Sequence, residues 1–185
     1  MTVLSTIQSP ISNSSKFGQT ALRIVGGVLL LAFAAQLSIP MQPVPLTFQS
    51  SAVILIAMMF GARQGALVIL AYLAAGCCGL PVFANFSAGP MQFVGPTAGY
   101  LLGFLPAAYL TGYLLENGWQ RNIITRFLAA LAGASVIFIL GVTVLSKFTG
   151  GWQSAFAFGA APFLISEPIK LAAVAVLTSR RWKNN

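Results

Sequence analysis

The sequence predicts an all-α integral membrane protein, a bundle of six transmembrane helices with both termini cytoplasmic, on three observations. Of its 185 residues, 57% are hydrophobic and only 6% are charged, whereas a soluble globular domain charges roughly a quarter of its residues. The apolar residues gather into six runs, each able to cross a hydrocarbon core that takes about 20 apolar residues, or fewer where the bilayer thins. The lysines and arginines between those runs fall almost entirely on one side.

The expected spans are residues 22–39, 46–60, 64–82, 93–115, 125–145 and 154–178. The second is short, and Thr47, Gln49, Ser50 and Ser51 make its first turn polar, which suits a cavity better than lipid. Residues 1–20, rich in Ser, Thr and Gln, read as a cytoplasmic tail with little to bury. Residues 21–180 form one transmembrane domain and 181–185 a short basic tail. Ala32-Phe33-Ala34 looks like a signal-peptidase site after an apolar run, but the charged stretch before it is long and five more spans follow. No internal repeat is visible.

Orientation comes from the bases. Lys16, Arg23, Arg63, Arg121, Arg126, Arg180, Arg181 and Lys183 flank one side of the predicted spans, and Lys147 alone flanks the other. Cytoplasmic loops hold such an excess, so both termini are expected inside, which requires an even number of spans. The same bases do not form a continuous basic face interleaved with aromatics, so nucleic acid is not an expected partner. With no histidine, two distant acids and no nucleophile beside a base, the chain lacks the parts of a hydrolase or acyl transferase and does not read as an enzyme. Cys77 and Cys78 are adjacent and have the spacing of neither a disulfide framework nor a zinc site, so no metal or other cofactor is expected. They read as small packing residues.

The two long outward connections carry the first functional signals. Residues 36–47 read Q-L-S-I-P-M-Q-P-V-P-L-T, with Pro40, Pro43 and Pro45 favouring an extended path. The prolines either wall a pocket or simply shape a turn. Residues 79–99 contain four glycines, three prolines, three phenylalanines and no charge. That is long for a connection and apolar for a water-facing one, so the segment is expected to fold back over the bundle as a lid. Within it Asn85 lies between Phe83 and Phe86, offering two donors and an acceptor in aromatic surroundings, or serving as an ordinary turn residue.

Glu167 and Lys170 lie three apart on one side of the last span. An ionisable residue inside a span costs about 2.5–3.5 kcal/mol on insertion scales, so such a pair faces the bundle interior or a cavity. It is either part of a ligand site or a self-neutralising structural pair. Pro168 between them removes a helical N–H donor and is expected to kink the helix. A small molecule with an anionic tail and a polar head flanked by apolar surface would fit such surroundings, Lys170 meeting the anion and Asn85 a carbonyl.

Four stretches, S-I-P-M-Q-P-V-P-L-T-F-Q at 38–49, G-L-P-V-F-A-N at 79–85, V-G-P-T-A-G-Y-L-L-G-F at 94–104 and P-F-L-I-S-E-P-I-K at 162–170, resemble in order and spacing the BioY family. These are the biotin-binding S components of energy-coupling-factor transporters. The resemblance implies a multi-pass subunit of the cytoplasmic membrane that captures biotin from outside. It also implies a shared transmembrane T subunit and two ATPases as partners, although some members work without that module, alone or as oligomers. Asn85 is then expected to hydrogen-bond the ureido ring, with Phe83 beside it, and Glu167 and Lys170 to stand where the family has Asp and Lys. Thr47, Gln49 and Tyr100 also match family positions, Tyr100 equally suiting an ordinary packed aromatic. The chain departs from the family with Ile165-Ser166-Glu167-Pro168 in place of Pro-Gly-Asp and an aliphatic residue. The extra methylene of Glu167 displaces the carboxylate beyond hydrogen-bond tolerance unless the helix shifts. The chain has no phosphate-binding loop, so energy from ATP has to come from partners. The contrasting reading is a structural or assembly subunit with no ligand.

Overall fold

A computed structural model describes residues 11–180; residues 1–10 of the expected 1–20 tail and the whole expected tail at 181–185 lie outside the described residues. The elements in order are α1 (Ile11–Gln36), β1 (Ser38–Ile39), β2 (Leu46–Thr47), α2 (Gln49–Cys77), α3 (Ala98–Leu114), α4 (Ile123–Leu145), α5 (Trp152–Gly159) and α6 (Phe163–Leu177). The all-α membrane architecture expected from composition is present. Four of the helices are long and apolar enough to cross a bilayer, and α5 with α6 passes the same test as a pair bent by 46°.

The 29-residue α2 is not one straight rod. Gly61 has φ 81° and ψ −178°, a conformation open to glycine and to few other residues. Gln49 Nε2 donates to Tyr72 Oη at 2.8 Å, although 23 helical residues in a straight line would separate them by about 35 Å. Residues 49–60 and 62–77 are therefore two limbs folded against each other, corresponding to the second and third expected runs. At Gly65 a Cβ would lie 3.1 Å from the Ala57 Cα, so small residues let the limbs touch backbone to backbone.

The other helices stack on this hairpin. Gly27 of α1 abuts Val68, Gly112 of α3 abuts Ala62, and Gly103 of α3 sits against the α4 backbone, where a Cβ would lie 3.0 Å from the Ile137 Cα. Asn122 caps α4 by accepting from the Thr125 N–H at 2.8 Å, satisfying one donor that a helix start leaves over. The core runs through the middle of the stack, with Leu31, Ile56, Tyr72, Ile137 and Leu145 almost fully buried.

Several boundaries differ from expectation. α1 starts at Ile11, so the second half of the expected tail is helical. α3 starts at Ala98, because residues 93–97 belong to the preceding connection. The last run breaks between Gly159 and Phe163 and not at Pro168, which sits inside α6. Pro168 is the sixth residue of α6, past the first turn, so the N–H it lacks leaves the Leu164 carbonyl without its i+4 donor, yet the helix continues through it. Cys77 and Cys78, expected to pack, are exposed.

The bundle has two unlike ends. At one, Arg23 Nη1 donates to Gln64 Oε1 at 2.6 Å beside the Gly61 turn, and Glu116 Oε1 accepts from the Ala62 N–H at 2.9 Å. At the other lie both long connections. The 36–47 stretch forms a small antiparallel ribbon, Ser38 facing Thr47 and Ile39 facing Leu46, with a cis Gln42–Pro43 peptide. The 79–97 stretch contains 3-10 turns at Ala84–Phe86 and Pro90–Phe93.

Candidate functional site

A cavity of about 410 Å3 opens at the loop end, a size that suits a small molecule. Its walls come from the 36–47 ribbon, the 79–97 connection, the start of α2, the first turns of α3, and Ile137, Phe138 and Phe163. Apolar and aromatic surface dominates, with Thr47, Gln49, Ser50 and Asn85 among the polar groups in the wall.

Each wall is held by named bonds. Gln49 is buried at the head of α2 and donates to Tyr72 Oη, whose hydroxyl donates to the Val82 carbonyl at 2.8 Å. This relay ties the 79–97 connection to the two limbs of α2. Phe83 is 2% exposed, fills the notch over Gly76, and meets Tyr72 and Phe93 edge-on at 5.5 and 5.8 Å between ring centroids. Gly89 N–H donates to the Gly76 carbonyl at 2.8 Å. The expectation that this uncharged segment folds back over the bundle agrees with these contacts.

Asn85 lines the cavity from an exposed turn. It and Phe86 both have left-handed backbones, with φ 56° and 55°. Asn tolerates that region, but for an ordinary L residue it costs roughly 1–2 kcal/mol, so the contacts around Phe86 have to hold it there. Tyr100 also lines the cavity, but its hydroxyl donates to the Gly159 carbonyl at 2.9 Å and its ring lies over Gly141. It is both a packed aromatic and a wall residue.

Five of the seven expected site residues, Thr47, Gln49, Phe83, Asn85 and Tyr100, therefore converge on one cavity. Glu167 and Lys170 stand one layer behind it. Glu167 is 4% exposed; its Oε1 accepts from Ser50 Oγ at 2.9 Å and from Lys170 Nζ. Lys170 Nζ also donates to the Thr47 carbonyl at 3.0 Å and lies 5.4 Å from the centre of the Phe48 ring, a distance at which a cation is attracted to the ring face. The pair thus neutralises itself and staples α6 to Thr47 and Ser50, two residues of the cavity wall. Glu167 Oε2 is buried with no hydrogen-bond partner among the described residues. Glu167 borders a second, smaller cavity of about 310 Å3 between α4 and α6, separated from the first by Phe138 and Phe163.

Of the residues that build the wall, the sequence singles out Ser50 only as part of a polar first turn and gives no signal for Tyr72, Phe138 or Phe163. The first had a readable signal, since Ser50 lies beside Gln49 and Ser51 in a polar stretch at the head of an apolar run. The others are distant in sequence and meet only in the fold.

No group of three metal-ligating side chains occurs among the described residues. Residues 8–185 match a family model described as the BioY family. The chain is 39% identical over 154 residues to the biotin transporter BioY of Thermotoga maritima, covering 83% of this chain and 90% of the relative. It is equally 39% identical to a probable biotin transporter of Pyrococcus horikoshii, over 85% and 92% of the two chains. Among solved structures, the S-component for biotin from an ECF-type ABC transporter superposes with a TM-score of 0.80 over 95% of both chains at 22% identity. At that identity the likeness shows a common fold.

Proposed function

The chain belongs to the BioY family, and from that premise we propose that it takes up biotin as the substrate-binding S subunit of an energy-coupling-factor transporter. The observation that carries the reading is the loop-end cavity, apolar with a few convergent polar groups and built from the four sequence stretches that resemble the family. Relatives sharing most of its length are named as transporters, not enzymes.

In this reading the cavity faces outward. The 49–60 and 62–77 limbs each cross the membrane, the bent α5–α6 pair crosses once, and six crossings leave both termini in the cytoplasm. A reporter fused after Asn185 should signal from the cytoplasmic side only; a signal from the outer side overturns this topology. Biotin binds with its ureido ring near Asn85 and its thioether ring and chain against Phe83, Tyr100 and their aromatic neighbours, while Thr47 and Gln49 supply polar contacts at the head of α2. Lys170 reaches the carboxylate by exchanging its bond to the Thr47 carbonyl for one to the ligand, and Glu167 remains its counter-ion. Accumulation needs an energy source, supplied by a T subunit with two ATPases or by another driving force in a solitary or oligomeric form.

The deciding experiment is saturable binding of labelled biotin to the purified full chain. Asn85→Ala should weaken it about 10- to 100-fold, the worth of one to two buried hydrogen bonds. Biotin methyl ester should bind more weakly than biotin to the native chain and no more weakly to Lys170→Met, because only the lysine distinguishes acid from ester. No saturable binding by the native chain would falsify the function; equal discrimination by Lys170→Met removes Lys170 from the site.

A further inference from the structure

Gln36, the last residue of α1, has no role in the site described so far, yet both ends of its side-chain amide are occupied by the lid. Its Nε2 donates to the Phe83 carbonyl at 3.0 Å, with a longer bond to its own helix at Ala32, and its Oε1 accepts from the Phe86 N–H at 3.0 Å. These two bonds bracket Asn85. Resting on the biotin-binding reading of the cavity, we infer that Gln36 is a positioning residue that holds Asn85 in the cavity wall and ties the lid to the outward end of α1.

Backbone accounting supports this role. The turn closes itself through Phe83 N–H to the Ser87 carbonyl at 3.2 Å, Ser87 N–H to the Ala84 carbonyl at 3.2 Å, and Ser87 Oγ to the same carbonyl at 2.8 Å. Neither the Phe83 carbonyl nor the Phe86 N–H is bonded within the turn by these contacts, and Gln36 bonds both. The Ala84-Asn85-Phe86 turn contains no glycine, yet Asn85 and Phe86 are both left-handed. Nothing local favours that conformation for Phe86, so an outside group has to hold it. The Asn85 side chain is not fixed strongly by its own contacts, since Ser38 Oγ donates to its Oδ1 only at 3.4 Å. Its placement therefore follows from the backbone that Gln36 clamps.

The test measures biotin affinity for the full chain in nanodiscs as the native protein, Gln36→Ala, Asn85→Ala and the double variant. Gln36→Ala should weaken binding about 10-fold, and the same change in the Asn85→Ala background should cost less than about 3-fold, because linked residues are not additive. Gln36→Met, which keeps the length of the side chain but offers neither the donor to Phe83 nor the acceptor for Phe86 N–H, should match Ala; it also stands in if Gln36→Ala does not fold. A ligand-independent measurement separates this inference from the biotin reading. Hydrogen exchange in peptides covering 84–89 should accelerate in the Gln36 variants while α4 keeps its protection. If the native chain binds no biotin, the functional reading fails and the exchange result alone decides the clamp. Native-like affinity, an equal loss in both backgrounds, or unchanged exchange at 84–89 each overturn the inference.

Discussion

The two ends of the bundle solve the same problem, holding helix ends together, by opposite means. At the basic end the helices touch through glycine and alanine: Gly61 makes the turn, Gly112 packs against Ala62, and one carboxylate, Glu116, caps the following limb. At the loop end Gly99 likewise brings the start of α3 onto the Leu140 carbonyl of α4, but the cavity wall is held differently. Side-chain bonds do the joining, from Gln49 through Tyr72 to Val82, from Gln36 to the lid, and from the Glu167–Lys170 pair to Ser50 and Thr47. Close-packed backbones have few alternative arrangements, whereas a hydrogen-bonded wall can exchange partners with a ligand. The difference places adaptability at the cavity and rigidity opposite it.

The largest expected effect lies in the ion pair. Lys170→Ala leaves Glu167 buried and unpaired, and breaking one partner of a buried pair destabilises by about 3–5 kcal/mol. Thermal unfolding of the solubilised chain should show this as a large loss. Lys170→Met combined with Glu167→Gln removes both charges and should recover most of it, since an uncharged replacement of a buried pair is often neutral. If the double variant is as unstable as the single, the pair is not what joins α6 to the head of α2.

Next comes the close-packed end. A Cβ at Gly112 would overlap the backbone of Gly61 and Ala62, which cannot rotate away. Gly112→Ala should therefore cost about 1–3 kcal/mol by overpacking while leaving biotin affinity within about 2-fold, because the cavity lies at the other end. Gly26→Ala, inside α1 with open space around it, should leave affinity unchanged and cost no stability, since alanine is the better helix former. A large affinity loss in Gly112→Ala would show that the two ends are mechanically coupled.

The contrast also explains what could be read from the sequence. The long apolar helices were legible because lipid demands long apolar runs, and the Gly61 turn because Gly61 and Arg63 interrupt one. That Phe83, Asn85, Thr47, Gln49 and Tyr100 would meet around one cavity was legible through segment resemblance and the uncharged loops. The break before Phe163 was not, because Pro168 offered a stronger local signal than Gly159 or Pro162. Nor was the closure of Lys170 on the Thr47 carbonyl, a contact across 123 residues. Gln36 was invisible for the same reason: an amide at a helix end has no signature until the chain brings Phe83 and Phe86 to it.

Glu116 gives the smallest expected effect and the sharpest control. It is exposed, and its Oε1 accepts the Ala62 N–H at the start of the second limb of α2. An anion at a helix N-terminus is worth about 0.3–1 kcal/mol and less where salt screens it. Glu116→Gln keeps an acceptor of nearly the same shape, so only the charge is lost and the melting temperature should fall by no more than a few degrees, the difference shrinking as salt is added. Glu116→Ala also leaves the Ala62 N–H without its partner beside a turn that Gly61 makes tight, and should cost more and depend less on salt. If both variants lose the same stability, the interaction is a packing contact and not a cap. If either one weakens biotin binding several-fold, the basic end is not a passive anchor, because a carboxylate on the far side of the Gly61 turn would then be setting the position of Gln49 at the head of the same helical hairpin.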